Sequence, residues 1–286
     1  MTEIDSGFVK AMFKPRKSDS HKGDYGKVLI IAGSACYTGA ARLCALGAVR
    51  MGAGLVFVGV PRSSWPIVAS AAPEPMVFPL PEDGGGGLSR GALPAIAERL
   101  QGCDVCVFGP GLGRSEDIAE IAKAVISSGK PLVLDADGIN AAIGHIFFST
   151  AVLTPHEGEF VRAGGDLSGG REAGAAEFAA RHGCVLVLKG PGTIVAAPDW
   201  RAMWNATGNP GLAKGGSGDL LAGMIGALVG QGIPAFEAAA AAAWLHGRAA
   251  DICARRLGEV SMTPSDVVAA LPEAVIAACG PQVARG

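Results

Sequence analysis

Apolar residues along this chain fall into two rhythms. Val28-Leu29-Ile30-Ile31-Ala32-Gly33 is apolar without interruption. A strand with one wet face would carry polar residues at alternate positions. The run therefore predicts a strand covered on both faces, as in a parallel sheet between helices. Similar runs recur at 55–60, 104–109, 131–135, 151–154, 185–189 and 193–197. Helical stretches separate them, at 39–52, 91–101, 115–129, 137–144, 157–163 and 171–183. Parallel neighbours need crossover connections, so this alternation predicts a doubly wound, mostly parallel α/β sheet flanked by helices on both faces. The last third changes character, with helices expected at 216–231, 234–256 and 264–279. No linker and no long repeat interrupts the chain, and Gly84–Gly87 reads as a loop tip. A polar N-terminal arm over residues 1–20 and one domain over 21–280 are expected.

Composition narrows the picture. The 286 residues include 24 Lys+Arg and 26 Asp+Glu, a formal net charge of −2, which leaves no basic excess for nucleic acid or an anionic membrane. Apolar residues make up 49% and charged ones 17%, enough for a large core. No run is long enough to span a membrane, and the N-terminus has no apolar leader. With 7 scattered cysteines, an odd number, a reduced cytoplasmic setting is expected. Cys103-x-x-Cys106 is a lone pair within a strand, which favours core packing over metal binding. The 43 glycines stand out against a usual share of about 7%. In a chain able to build a core, they point to backbone closely approaching a ligand, with anions first.

The strongest chemical signal is Asn205-Ala-Thr-Gly-Asn-Pro-Gly-Leu-Ala-Lys-Gly-Gly-Ser-Gly-Asp219, which runs into an apolar helix. Glycines 215, 216 and 218 free the backbone amides at a helix start, where the dipole favours negative charge, and a phosphate best explains that arrangement. Asp219 in the first turn is then either a helix-start charge or a general base that deprotonates a hydroxyl while the amides hold a phosphoryl group. The adjoining glycines favour the base. There is no Walker loop, and Gly33-Ser34 lacks dinucleotide-fingerprint spacing. Gly109-Pro-Gly-Leu-Gly113, Asp135-Ala-Asp137 and Thr154-Pro-His-Glu-Gly-Glu159 each follow a predicted strand. Ligands bind at that edge of open α/β sheets, and the recurrence of such turns carries more weight than any one of them.

Together these segments resemble the ADP- or ATP-dependent NAD(P)H-hydrate dehydratases. The resemblance runs in order from His21-Lys22-Gly23-Asp24-Tyr25-Gly26 and Ala32-Gly33-Ser34 through Gly39-Ala40-Ala41 and Gly109–Gly113. It continues through Leu134–Asp137, Thr154–Glu159, Lys189-Gly-Pro-Gly-Thr193 and the 205–219 segment. It implies a ribokinase-like fold without a separate lid domain. The implied reaction is dehydration of the S-hydrates of NADH and NADPH (NADHX and NADPHX), driven by ADP in most bacterial members. It yields NAD(P)H, AMP and phosphate by phosphoryl transfer to the ring hydroxyl and then elimination. By the same resemblance Asp219 is the base, and Ala40, Gly111, Gly113, His156 and Asp219 contact the hydrated nucleotide, Gly113 being favoured within its turn. Lys189, Gly190, Pro191, Gly192, Thr193, Asn209, Gly215, Gly216, Ser217 and Gly218 contact the driving nucleotide. Mg²⁺ is the expected cofactor, with Glu159 reaching it through water, and ADP the co-substrate. A homo-oligomer, as a tetramer, is expected. Many bacterial relatives carry an N-terminal epimerase domain; residues 1–20 are too few for one, so the dehydratase is expected alone, alongside a separate epimerase.

Plain structural roles compete at several positions. Lys189 closes an apolar strand, where lysines often snorkel. His156 is either a surface histidine or a ligand contact, and Glu159 either a capping acid or a metal partner. Asp135 and Asp137 are either turn formers or polar site residues, and Lys214 either meets a phosphate or is solvated. Two other functions compete as well: a small-molecule kinase of the same fold, and a non-catalytic nucleotide sensor.

Overall fold

Successive residues of a strand point to opposite faces, so each unbroken apolar run supplies two cores. The computed structural model, which describes residues 1–70 and 72–281, shows this directly. The first half holds β1 (Thr2–Glu3), α1 (Ser6–Met12), β2 (Lys27–Ile31), α2 (Thr38–Arg50), β3 (Leu55–Pro61), α3 (Trp65–Ala69) and β4 (Met76–Leu80). There follow α4 (Leu93–Gly102), β5 (Val105–Phe108), α5 (Glu116–Ser127), β6 (Leu132–Leu134), α6 (Asp137–Ala141), β7 (Ala151–Leu153) and α7 (Glu157–Arg162). The remainder is α8 (Arg171–His182), β8 (Val185–Leu188), β9 (Thr193–Ala196), β10 (Ala202–Asn205), α9 (Ser217–Gly230), α10 (Ala235–Leu257) and α11 (Pro264–Cys279). Among the described residues the strands form one sheet in the order β1-β10-β9-β8-β7-β6-β5-β2-β3-β4. Only the β8–β9 and β9–β10 pairs are antiparallel.

Val28, Ile30, Val105, Val107, Val185 and Val187 face a core shared with α2, α9, α10 and α11. Their neighbours Leu29, Ile31, Cys106, Phe108, Leu186 and Leu188 face a second core under α4, α5, α7 and α8. The doubly wound arrangement follows from that division.

The strands that the apolar pattern did not single out are those near the rims. In β4 the edge position tolerates Pro79, and in β10 three of four residues are partly exposed. Neither is buried on both faces as the central strands are, although β4 is apolar throughout. The first twenty residues, expected as a polar arm, dock instead on the opposite rim. There β1 pairs with β10, the Ile4 amide donates to the Trp204 carbonyl (2.9 Å), and Ile4 and Val9 are fully buried. Phe8, Met12 and Phe13 pack beside them against the same core.

Helices α2 and α9 run parallel, almost backbone to backbone. A Cβ on Gly223 would lie 1.9 Å from the Cys44 carbonyl oxygen, and one on Gly47 would lie 2.4 Å from that of Leu220. Glycine here permits an approach that places both helix N-termini at one sheet edge. Gly223→Ala is expected to force the helices apart and lower stability by about 1–3 kcal/mol, read as a shift in the urea midpoint at constant slope.

Candidate active site

Strands β8, β7, β6, β5 and β2 are parallel neighbours, so the loops at their carboxyl ends share one edge. Lys189 stands at the centre of this edge. Its backbone amide donates to the Pro155 carbonyl (2.9 Å), which sets it level with His156 across the β7–β8 pair. Its Nζ lies 2.9 Å from Asp135 Oδ1 and 3.8 Å from Glu159 Oε2. Asp135 is almost wholly buried, and its Oδ1 also accepts from the Thr154 hydroxyl at 2.6 Å. Burial alone would pull the Lys189 ammonium toward neutrality, but the charges of Asp135 and Glu159 outweigh it and hold its pKa above the ordinary lysine value.

The N-terminus of α9 closes over this cluster. Gly216 adopts φ +100° at the cap, a conformation suited to glycine, and a Cβ on Gly218 would lie 3.1 Å from Lys189 Nζ. Asp219 follows in the first turn. Burial, reinforced by the charge of Asp135 and opposed by Lys189, pushes its carboxyl up to about 7. A proton acceptor poised near neutrality thus sits beside free helix-start amides. The Ser217 hydroxyl is buried there with no protein partner, and buried donors of this kind are normally satisfied.

His156 caps α7: its Nδ1 accepts from the Glu159 amide (3.2 Å), while Glu159 Oε2 accepts from the His156 amide (2.9 Å). The ring remains half exposed, with Nε2 3.5 Å from Glu159 Oε1. Glu159 therefore serves as cap partner and as neighbour of Lys189 at once. The Gly113 amide donates to Asp137 Oδ2 (2.9 Å), tying the 109–113 turn to the end of β6. Between the two aspartates Ala136 holds φ +50°, ψ −114°, a strained geometry for a residue with a Cβ. Ala40 lies against Gly111, whose Cβ would fall 2.9 Å from that of Ala40.

The 189–193 loop has a brace that no sequence motif announced. Arg171, at the start of α8, donates through Nη1 to the Pro191 (2.6 Å) and Gly192 (3.1 Å) carbonyls. Its Nη2 donates to those of Leu188 (3.3 Å) and Lys189 (3.2 Å). Thr193 Oγ1 donates back to the Gly190 carbonyl (3.0 Å). Asn209 is turned into the fold: Oδ1 accepts from the Gly211 amide and Nδ2 donates to Asp251, whose other oxygen accepts from the Gly208 amide. Asp251 lies four residues after Gly247 on α10, and that helical spacing toward the 205–209 loop was the available signal. Lys214 is partly exposed, and its ammonium donates to the Val260 and Met262 carbonyls and pins the loop before α11. His246 is buried behind the site with Nε2 unpartnered, and burial with the nearby Lys189 charge pushes its pKa down to about 4. It is neutral.

A preformed cage for Mg²⁺ is not part of this edge. Among the described residues no three His, Cys, Asp or Glu side chains converge as a ligand set, and the Lys189 ammonium stands between Asp135 and Glu159. The arrangement suits an ion that keeps most of its water and is held largely by phosphate oxygens, the usual habit of Mg²⁺. Nor, among the described residues, is any helix long and apolar enough to cross a membrane.

A model of the NAD(P)H-hydrate dehydratase family matches residues 28–273. The chain is 36% identical over 261 residues to the ADP-dependent (S)-NAD(P)H-hydrate dehydratase of Neisseria meningitidis, covering 86% of this chain and 83% of that one. In structure it resembles the ADP/ATP-dependent NAD(P)H-hydrate dehydratase of Bacillus subtilis, co-crystallised with ATP/Mg²⁺. That similarity has a TM-score of 0.83 and 31% identity, over 97% of this chain and 98% of that one. A ribokinase-like superfamily protein of Enterococcus faecalis superposes with a TM-score of 0.88 and 26% identity, over 98% and 97% of the two chains. The chain spans about half the length of the bifunctional NAD(P)H-hydrate repair enzymes that it matches, for example 53% of one that is 40% identical.

The raised Asp219 pKa has a stability consequence. A carboxyl at about 7 when folded and near 3.8 when unfolded binds its proton more tightly in the folded state. Folding stability therefore falls as pH rises from about 4 to about 7, and the full cost is present above that range. Asp219→Asn, which cannot ionise, is expected to be more stable than the parent at pH 8. The gap should shrink toward zero by about pH 4 in paired denaturation curves.

Proposed function

This chain belongs to the NAD(P)H-hydrate dehydratase family, and from that membership we propose that it dehydrates the S-hydrates of NADH and NADPH at the expense of ADP. The observation that carries the reading is Asp219: a carboxyl poised to about 7 in the first turn of a helix whose free amides form an anion site. Hydroxide leaves a ring carbon poorly and phosphate leaves well. In the proposed sequence Asp219 takes the proton of the ring hydroxyl as its oxygen attacks the terminal phosphorus of ADP, and AMP departs. The ring nitrogen lone pair then expels the phosphate, and loss of a proton from the adjacent carbon restores the dihydropyridine. Atoms balance as hydrate plus ADP giving NAD(P)H, AMP and phosphate.

The chain's own groups divide the work. The Gly216 and Gly218 amides and the Ser217 hydroxyl meet the phosphoryl oxygens, at a point where their dipoles need no rearrangement. Lys189 is the fixed positive charge beside them, and the Arg171-braced loop Gly190–Thr193 seats the nucleotide. Ala40, Gly111, Gly113 and His156 line the side where the hydrated nucleotide lies. Asn209 acts at one remove, by shaping the loop before Gly215. Mg²⁺ bound with the phosphates would supply charge neutralisation, and Glu159 is the residue that would help to hold it. A kinase of the same fold would use the same base and the same anion site. What favours the dehydratase is the family match across residues 28–273.

Incubation with S-NADHX and ADP is expected to restore the dihydropyridine absorbance of the reduced nicotinamide and to release AMP. No recovery with either ADP or ATP, or consumption of nucleotide with a phosphorylated alcohol as the end product, would overturn the proposal. Asp219→Asn should lower kcat by roughly 10²–10⁴-fold while nucleotide affinity changes little. Because the base must be ionised, kcat/KM of the parent should climb with pH and level off above about 7.

A further inference from the structure

Arg171 devotes its guanidinium to a single loop. Nη1 donates to the Pro191 and Gly192 carbonyls and Nη2 to those of Leu188 and Lys189. Nε lies 3.0 Å from Glu157 Oε1, at the start of α7. Arginine presents its donors in a rigid planar fork, so a guanidinium engaged on every side fixes these carbonyls relative to one another. Gly190 is shaped to admit it: φ is +142°, and a Cβ there would lie 2.8 Å from Nη2. Gly192, at φ +64°, takes the left-handed conformation that a residue with a side chain adopts at a cost.

The carbonyls decide where the amides point. No peptide bond among the described residues is cis, and a trans bond sets each N–H opposite the carbonyl before it. With the Lys189 and Pro191 carbonyls turned onto Arg171, the Gly190 and Gly192 N–H groups face away from it. Neither of these amides meets a backbone acceptor among the described residues. Two donors on glycines, with no Cβ to hinder approach, suit the acceptor oxygens and nitrogens of a nucleotide. The connection from β8 to β9 has few contacts of its own, chiefly Thr193 Oγ1 on the Gly190 carbonyl. Released from Arg171, it would sample many conformations, and a ligand would have to reorder it on binding.

We propose that Arg171 is a positioning residue for the driving nucleotide: by holding the four carbonyls it presets the Gly190 and Gly192 amides in the orientation that ADP meets. This rests on the dehydratase reading for the placing of ADP on the loop, and its test keeps the two apart. Titration calorimetry with ADP and Mg²⁺, which requires no turnover, is run on the parent, Arg171→Ala and Arg171→Lys. Arg171→Ala should raise the Kd for ADP by roughly ten- to a hundredfold, the cost of reordering part of the loop. Arg171→Lys should raise it nearly as much, because an ammonium cannot fork between both pairs of carbonyls. In steady-state assays on hydrated NADH the KM for ADP should rise in step. There kcat at saturating ADP, and the KM for the hydrate, should stay within about twofold of the parent.

An unchanged Kd in Arg171→Ala would overturn the proposal. So would a lysine variant that matches the parent, which would assign the role to charge alone. A parallel rise in the hydrate KM, or a fall in kcat, would also overturn it, since a merely structural arginine would disturb the whole edge. A parent that binds neither ADP nor ATP would do the same. A parent that binds ADP yet leaves the hydrate intact would count against the dehydratase reading, and the Kd comparison would still decide for or against Arg171.

Discussion

The carboxyl edge of this sheet depends on one ammonium group. Asp135 is buried at the end of β6, Glu159 is buried in the first turn of α7, and Asp219 is partly buried at the start of α9. Carboxylates gathered in a dry region repel each other and lose hydration, so the arrangement persists only if a cation is fixed among them. Lys189 at the end of β8 is that cation. Thr154, from the strand between, completes the coordination of Asp135. Three strand ends and one helix N-terminus are thereby joined at a point, and the position of each of these side chains follows from it.

The balance there is deliberately incomplete. Lys189 satisfies Asp135 by direct contact and Glu159 at longer range, but it only tempers the burial that raises Asp219. Asp219 is left close to neutrality, ready to accept a proton, while the α9 amides beside it remain free for phosphoryl oxygens. A fully paired Asp219 would make a more stable protein and a poorer base. The strain at Ala136, wedged between Asp135 and Asp137, fits the same pattern of local cost at a working edge.

Much of this was legible in the sequence because burial on both faces leaves a clear mark. The central strands show unbroken apolar runs, and the helix boundaries predicted at 216–231 and 264–279 lie within a residue of α9 and α11. Of the rim strands, β1 and β10 are short and only partly apolar, and β4, though apolar, sits among Pro73, Pro75 and Pro79, which mask it. In the site, Lys189, Glu159, Gly218 and Asp219 stood out by motif and do converge. Arg171 did not stand out, because an arginine that donates to four carbonyls needs no particular neighbours in sequence. Asn209 and Lys214 were conspicuous beside glycines, yet their side chains turn to Asp251 and to the Val260–Met262 carbonyls.

By itself, then, the sequence determined which segments must be buried, which turns lie at the carboxyl ends of strands, and which residues could handle a phosphate and a proton. Those are local properties: hydropathy period, glycine content and side-chain chemistry are written residue by residue. Tertiary structure alone decided charge and direction. Whether Asp219 is a helix-start acid or a poised base depends on Asp135 and Lys189, which lie far from it along the chain. Whether Lys214 faces a ligand or braces a loop depends on where the Val260 and Met262 carbonyls come to lie. Electrostatic energy falls with distance in space and not with separation in sequence, so only the folded arrangement could answer either question.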